Sequence, residues 1–207
     1  KVYENIFHKG KWAGIFQFTE AGAQKFCKKA KPRNIINIAA ITSIYRPGPL
    51  GADVDKLYVE AKENPSKVRY ENDIVKEVTK ETYGFLIFQE QIALLAHRLG
   101  KDICLDEANK LRKLLTKKGT GKDSVKHQLH AKFLEGCAAK NIDRASAQAL
   151  WDKFEYFSGY GFNKSHAVSY SIISFQCAWL WNYYPAEWMA AFLDKEPESR
   201  KEKTINI

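Results

Sequence analysis

Methionine occurs once and cysteine four times in these 207 residues. Cys27, Cys104, Cys137 and Cys177 stand far apart, with no CxxC pair and no Cys/His ligand spacing. Neither a structural zinc site nor a disulfide framework is therefore suggested, and reduced thiols are expected. Aspartate is absent before Asp53. A secretory leader is not expected, because Lys9 and Lys11 come too early for an apolar h-region. The one uncharged stretch long enough to cross a bilayer, residues 167–186, is interrupted by Ser169, Ser171, Ser174, Gln176 and Asn182. Those groups would be costly against lipid, so the stretch reads as a buried core helix and no membrane partner is expected. The sequence shows no internal repeat and no low-complexity linker. The segment "KKGTGKD" lacks the GxxxxGK[ST] spacing and does not follow a strand, which rejects a phosphate loop.

Basic charge is abundant: Lys plus Arg number 33 against 24 Asp plus Glu, a formal net charge of +9. The excess is concentrated. Lys110, Arg112, Lys113, Lys117, Lys118, Lys122, Lys126 and Lys132 face a single acid, Asp123, and a second run holds Lys25, Lys28, Lys29, Lys31 and Arg33. Such clusters suit polyanions, with a merely solvated lysine face as the alternative from charge alone.

Helical signals dominate, so the fold class expected is mainly α, with at most a short strand or hairpin. Thr19 and Glu20 open a helix through residue 30. An apolar helix over 35–42 stops at "YRPGPLG", where two prolines restrict the residues before them and leave a rigid loop presenting Arg46. Further helices are expected over 51–63 and 72–80. The run "YGFLIF" reads as a buried strand or a helix entrance. The next helix, 89–99, ends at Gly100. Over 105–118, Ala108, Leu111 and Leu115 share one face while Lys110, Lys113 and Lys117 share the opposite one, with Arg112 on the flank. Helices over 124–140 and 143–157 follow, the second capped by Asp143. A long helix over 163–184 and a short one from Pro185 complete the series. The charged residues from Glu196 read as a frayed tail or a boundary. The chain opens on Lys1, which suggests a piece of something longer.

The stretch "GYGFNKSHAVSY" places Lys164 at the start of a helix, where the dipole disfavours a cation. With Asn163 as cap, the first-turn N–H groups point outward beside Lys164, Ser165 and His166, an arrangement suited to phosphate. The lysine becomes favourable once an anion sits between it and the helix. Gly159 and Gly161 allow close backbone approach, and Tyr160 or Phe162 can lie against a base or ribose. The contrary reading is that Lys164 curls into solvent and His166 bonds within the fold.

Together with "YPAEWMAAFL", "YRPGPL", "TYGFLIFQEQ" and "GIFQF", this stretch resembles the C-family bacterial replicative DNA polymerases, the alpha subunit of DNA polymerase III and its PolC relatives. The motifs run in the family's order from Gly14 to Leu193. The resemblance implies a mainly helical fingers region over 19–193, with 1–18 connecting from a palm and 194–207 a charged tail. It implies that Arg46, Arg112, Lys113, Tyr160, Phe162, Asn163, Lys164, Ser165 and His166 line the incoming dNTP. Gln89, Glu90 and Gln91 would brace that pocket. Lys110, Lys117, Lys118 and Lys122 would face the DNA backbone. The family commonly carries two arginines where this chain has Arg112 and Lys113, and a lysine loses the bidentate fork.

Catalysis in such enzymes uses two metal ions on carboxylates. The family supplies these from the palm, so Mg²⁺ is expected in the parent polymerase with ligands outside this chain. Asp53 and Asp55 show the Asp-x-Asp spacing but match a fingers helix. No catalytic or metal-binding residue is assigned here, and the chain alone is expected to be inactive. Expected partners are dNTP, primer-template DNA, the palm and thumb, and a sliding clamp with other replisome subunits through other regions. The expected location is the cytoplasm of a bacterium or of a phage-infected host. The rival expectation is a non-catalytic helical module that holds DNA or RNA backbone. His127 and His130, at i, i+3 spacing, lack a third ligand and read as surface.

Overall fold

In a computed structural model, residues 1–116 and 123–205 are described. Over these the chain forms α1 (Ala21–Ala30), α2 (Ile35–Ile44), α3 (Pro47–Gly51), α4 (Val54–Glu63), α5 (Asp73–Thr79), α6 (Gln89–Leu99), α7 (Leu105–Thr116), α8 (Asp123–Ala139), α9 (Arg144–Ser158), α10 (Lys164–Tyr183), α11 (Pro185–Lys195) and α12 (Glu198–Ile205). Among the described residues there is no sheet; one parallel bridge joins Phe88 and Phe162. The expected mainly α class is what the structure has. The chain divides into two compact units, residues 1–59 with 165–207, and residues 60–164.

The second unit is built on α6, which packs against α5, α7 and α8, while α9 closes on α7 and α8. Its core contains Leu95, Leu99, Leu111, Phe133, Trp151 and Phe154. Trp151 lies 5.4 Å from Phe133 and 6.0 Å from Phe154 between ring centroids, and its Nε1 donates to Glu155 at 2.9 Å. An indole is thus buried with its one polar atom satisfied. The α7 spacing reads correctly: Ala108, Leu111 and Leu115 are buried while Lys110 and Lys113 are exposed. Asp143 accepts from the Ser146 N–H at 2.9 Å and caps α9 as expected. Gly136 of α8 lies against the end of α6, where an added Cβ would come within 2.3 Å of the Leu99 carbonyl oxygen. Only glycine permits that approach.

The α6 helix ends at Gly100 as expected. The glycine's backbone is extended, and a side chain there would strike Ile103 Cδ1 at 2.3 Å. The segment 85–88 is neither helix nor sheet strand. It enters α6 in extended form after Tyr83 and Gly84, both at positive φ.

In the first unit, α1 and α2 pack together, and Asn34 caps α2 through the Asn37 N–H at 2.8 Å. Aromatic rings fill the space around Phe7, with Phe18 at 5.7 Å and Trp12 at 6.3 Å. Four expectations are corrected here. "PGPLG" is a helical turn rather than a loop, with Pro47 in its first turn and Arg46 as the residue before it. Both prolines fall where an N–H would be unsatisfied anyway, so the helix tolerates them. Consequently the next helix starts at Val54 rather than residue 51. The charged stretch from Glu196 carries α12 instead of fraying.

The fourth correction concerns α10. Its buried positions are the small residues Ala167, Ser171, Ser174 and Ala178, while Ile172, Ile173, Trp179 and Tyr183 are exposed. The helix therefore buries its narrow face, not its bulky one. Ser174 donates to the Phe16 carbonyl at 2.8 Å and Ser171 to the Ala167 carbonyl at 2.7 Å, so small hydroxyls are satisfied at close backbone approach. Among the described residues, no helix is long and apolar enough to cross a membrane.

Candidate functional site

Within the second unit, the loop before α10 lies along the start of α6. The Phe162 N–H donates to the Ile87 carbonyl and the Gln89 N–H to the Phe162 carbonyl, both at 3.0 Å. Gln91, almost fully buried, holds this edge from behind. Its Oε1 accepts from the backbone N–H groups of Ile87 at 2.8 Å and Phe88 at 2.9 Å, while its Nε2 donates to Thr82 Oγ1 at 2.8 Å. Extended backbone entering a helix is left with orphan donors, and this glutamine satisfies two of them.

Two side chains then tie the edge to its surroundings. Gln89 Nε2 donates to the Gly161 carbonyl at 2.9 Å, and Gln89 Oε1 accepts from Arg112 Nη1 of α7 at 2.6 Å. Among the described residues, the buried Arg112 Nε has no hydrogen-bond partner. Glu90 spans the loop: one oxygen accepts from Asn163 Nδ2 and the other from the Lys164 N–H, each at 2.8 Å. Lys164 Nζ pairs with Glu81 at 2.9 Å and sits 5.8 Å from the centre of the Phe88 ring.

These contacts explain the lysine at a helix start. Glu90 supplies the negative charge that the α10 N-terminus favours, and Glu81 neutralises the ammonium. The acceptor at the α10 start is the Glu90 carboxylate. An N–H expected to be open, that of Lys164, is already bonded. Periodicity could not reveal this, because Glu81 and Glu90 are more than seventy positions from Lys164 in sequence. A Cβ at Gly161 would lie 3.0 Å from Gln89 Cγ, whereas Gly159 has open space around it.

The structure brings together Arg112, Phe162, Asn163 and Lys164 around Gln89 and Glu90 in the second unit. Tyr160 packs edge-on to Tyr156 at 5.7 Å. Lys110 and Lys113 stand on the exposed face of α7. Arg46, Ser165 and His166 belong to the first unit, and His166 lies 4.0 Å from the Tyr170 ring. Lys117, Lys118 and Lys122 lie outside the described residues. The second basic run falls on and just after α1, with Lys25, Lys28, Lys29, Lys31 and Arg33 all exposed. His130 does not stand alone on the surface: it stacks on Trp151 at 4.6 Å and bonds Gln148 at 3.0 Å.

Among the described residues, no three His, Cys, Asp or Glu side chains come together to hold a metal ion. Asp53 pairs with Lys56 at 2.6 Å. These side chains do not fit the carboxylate clamp of a two-metal site.

Comparison with known proteins gives a consistent result. The family described as "Bacterial DNA polymerase III alpha subunit finger domain" matches residues 1–141. The chain is 37% identical over 195 residues to the DNA polymerase III subunit alpha of Treponema pallidum (strain Nichols), covering 94% of this chain and 16% of that protein. It is 36% identical over 196 residues to the subunit of Campylobacter jejuni, covering 95% and 16%. It is 35% identical over 201 residues to that of Aquifex aeolicus (strain VF5), covering 97% and 17%. The chain thus spans about one sixth of the length of these relatives.

Proposed function

Since the chain belongs to the family of bacterial DNA polymerase III alpha subunits, within their finger domain, we propose that the cluster around Gln89 binds the triphosphate of the incoming dNTP during DNA synthesis. The observation that carries this reading is the meeting of Arg112 and Lys164, from two different helices, at one loop edge, where among the described residues a buried guanidinium nitrogen has no hydrogen-bond partner. A triphosphate supplies acceptors for such donors.

In this reading Lys164 exchanges Glu81 for phosphate. The ion pair is partly exposed on both sides, and such pairs contribute only about 0–1 kcal/mol, so the exchange costs little. Glu90 stays on the helix start and fixes the Lys164 backbone, leaving the ammonium free to turn. Arg112 provides the planar donor set, and Lys113 adds exposed positive charge beside it. Phe162, Tyr160 and Asn163 complete the proposed nucleotide contacts within the second unit, while Lys110, Lys117, Lys118 and Lys122 follow the DNA backbone.

Mg²⁺ would be held by carboxylates outside these residues, and this chain's part is to bind and orient. By itself it would not extend a primer. The palm, the thumb, primer-template DNA, and more remotely a sliding clamp are the proposed partners, in the bacterial cytoplasm or a phage-infected host.

The test uses a full-length polymerase carrying this segment. Lys164→Ala and Arg112→Ala are expected to weaken single-nucleotide incorporation at least tenfold more than they weaken primer-template binding, each having lost a charge-assisted phosphate contact of about 1.5–3 kcal/mol. Equal losses in both, with a steep salt dependence indifferent to dNTP, would instead favour a backbone-binding module.

A further inference from the structure

We infer that Gln89 is a positioning residue, which sets the Arg112 guanidinium and the loop before α10 in register with each other; this rests on the triphosphate reading above. One amide makes both connections: its oxygen accepts from Arg112 Nη1 at 2.6 Å and its nitrogen donates to the Gly161 carbonyl at 2.9 Å. The Gln89 backbone N–H adds a third bond, to the Phe162 carbonyl at 3.0 Å.

The chemistry at this position requires an amide. A carboxylate would keep the acceptor toward Arg112 but would face the Gly161 carbonyl with a second acceptor. An ammonium would satisfy the carbonyl and repel the guanidinium. The fit is also steric, since a side chain at Gly161 would come within 3.0 Å of Gln89 Cγ. Nη1 is held by Gln89, so the guanidinium is fixed at one corner, and among the described residues its buried Nε has no hydrogen-bond partner. Holding a donor in place before the ligand arrives lowers the ordering cost of binding. Gln89 therefore acts through Arg112 and Gly161 without touching the nucleotide.

The experiment is a double-mutant cycle in a full-length polymerase carrying this segment, read by steady-state incorporation of a single dNTP. Gln89→Leu is expected to raise the KM for dNTP about tenfold, as loss of a hydrogen bond to a charged group does, with kcat and primer-template affinity changed far less. Arg112→Ala raises the same KM, and adding Gln89→Leu to it raises KM little further, because the contact is already gone. Additive losses in the double variant, or a Gln89→Leu that lowers kcat and primer-template binding alike, would overturn the positioning role. A dNTP KM unmoved by Arg112→Ala would sink the triphosphate reading itself and this inference with it. Where Gln89→Leu does not fold, Gln89→Met removes the same two side-chain bonds with a flexible chain and enters the same cycle.

Discussion

Gln91→Leu removes a side chain that is almost fully buried and makes its bonds to four other residues, Ile87, Phe88, Thr82 and Val78, at the entrance of α6. Leucine fills a similar volume, so the cost is polar. The N–H groups of Ile87 and Phe88 each lose their acceptor in a buried place, at about 1–3 kcal/mol apiece. Burying leucine returns part of this, about 1.5–3 kcal/mol at most. The net expected loss is about 1–3 kcal/mol. Urea unfolding of the 207-residue chain measures it, and amide exchange at residues 87 and 88 locates it. Both amides should lose protection ahead of the α8–α9 core. A change below about 0.5 kcal/mol, with both amides still protected, would refute the assignment of Gln91 as their acceptor.

Three further outcomes are expected. Gly136→Ala places a Cβ within 2.3 Å of backbone at Leu99 and Gly100, and should destabilise by about 1–3 kcal/mol or more, which thermal melting would show. The Glu107 carboxyl is held below its ordinary 4.5 by hydrogen bonds from Lys132 and the Cys104 N–H, so its stabilising contribution is fully present above that value and disappears as pH falls through the lower folded value. Glu107→Gln should therefore flatten the loss of stability on acidification below pH 4.5, and an unchanged acid titration curve would contradict this. Cys104 is exposed, whereas burial raises the Cys27 thiol well above its usual range and pushes the Cys137 thiol up to about 11. Alkylation of the native chain at pH 8 should label Cys104 and spare Cys27 and Cys137, as peptide mapping would record.

Much of the fold is written in local spacing. The apolar and basic faces of α7, the Asp143 cap of α9 and the proline start of α11 follow from short-range rules. What the sequence conceals is non-local. A stretch as uncharged as α10 reads as core, yet its serines and alanines make the contact while isoleucine, tryptophan and tyrosine stay outside. "PGPLG" reads as a breaker because proline rules weigh against a helix interior, but five residues contain only first and last turns. At the candidate site, Arg112 and Lys164 were legible as basic residues in special settings. Their partners Gln89, Glu90 and Glu81 come together with them only in three dimensions, and they turn a supposedly open anion site into one the protein already neutralises.

The most direct test of the central claim mixes the 207-residue chain with primer-template DNA, dNTP and Mg²⁺, and follows primer extension and triphosphate binding on the same sample. The account expects no extension, together with dNTP binding that Arg112→Ala abolishes. Extension by the chain alone would mean that its carboxylates, Asp53 and Asp55 first, hold the metals after all; absence of dNTP binding in a folded chain would contradict the triphosphate site.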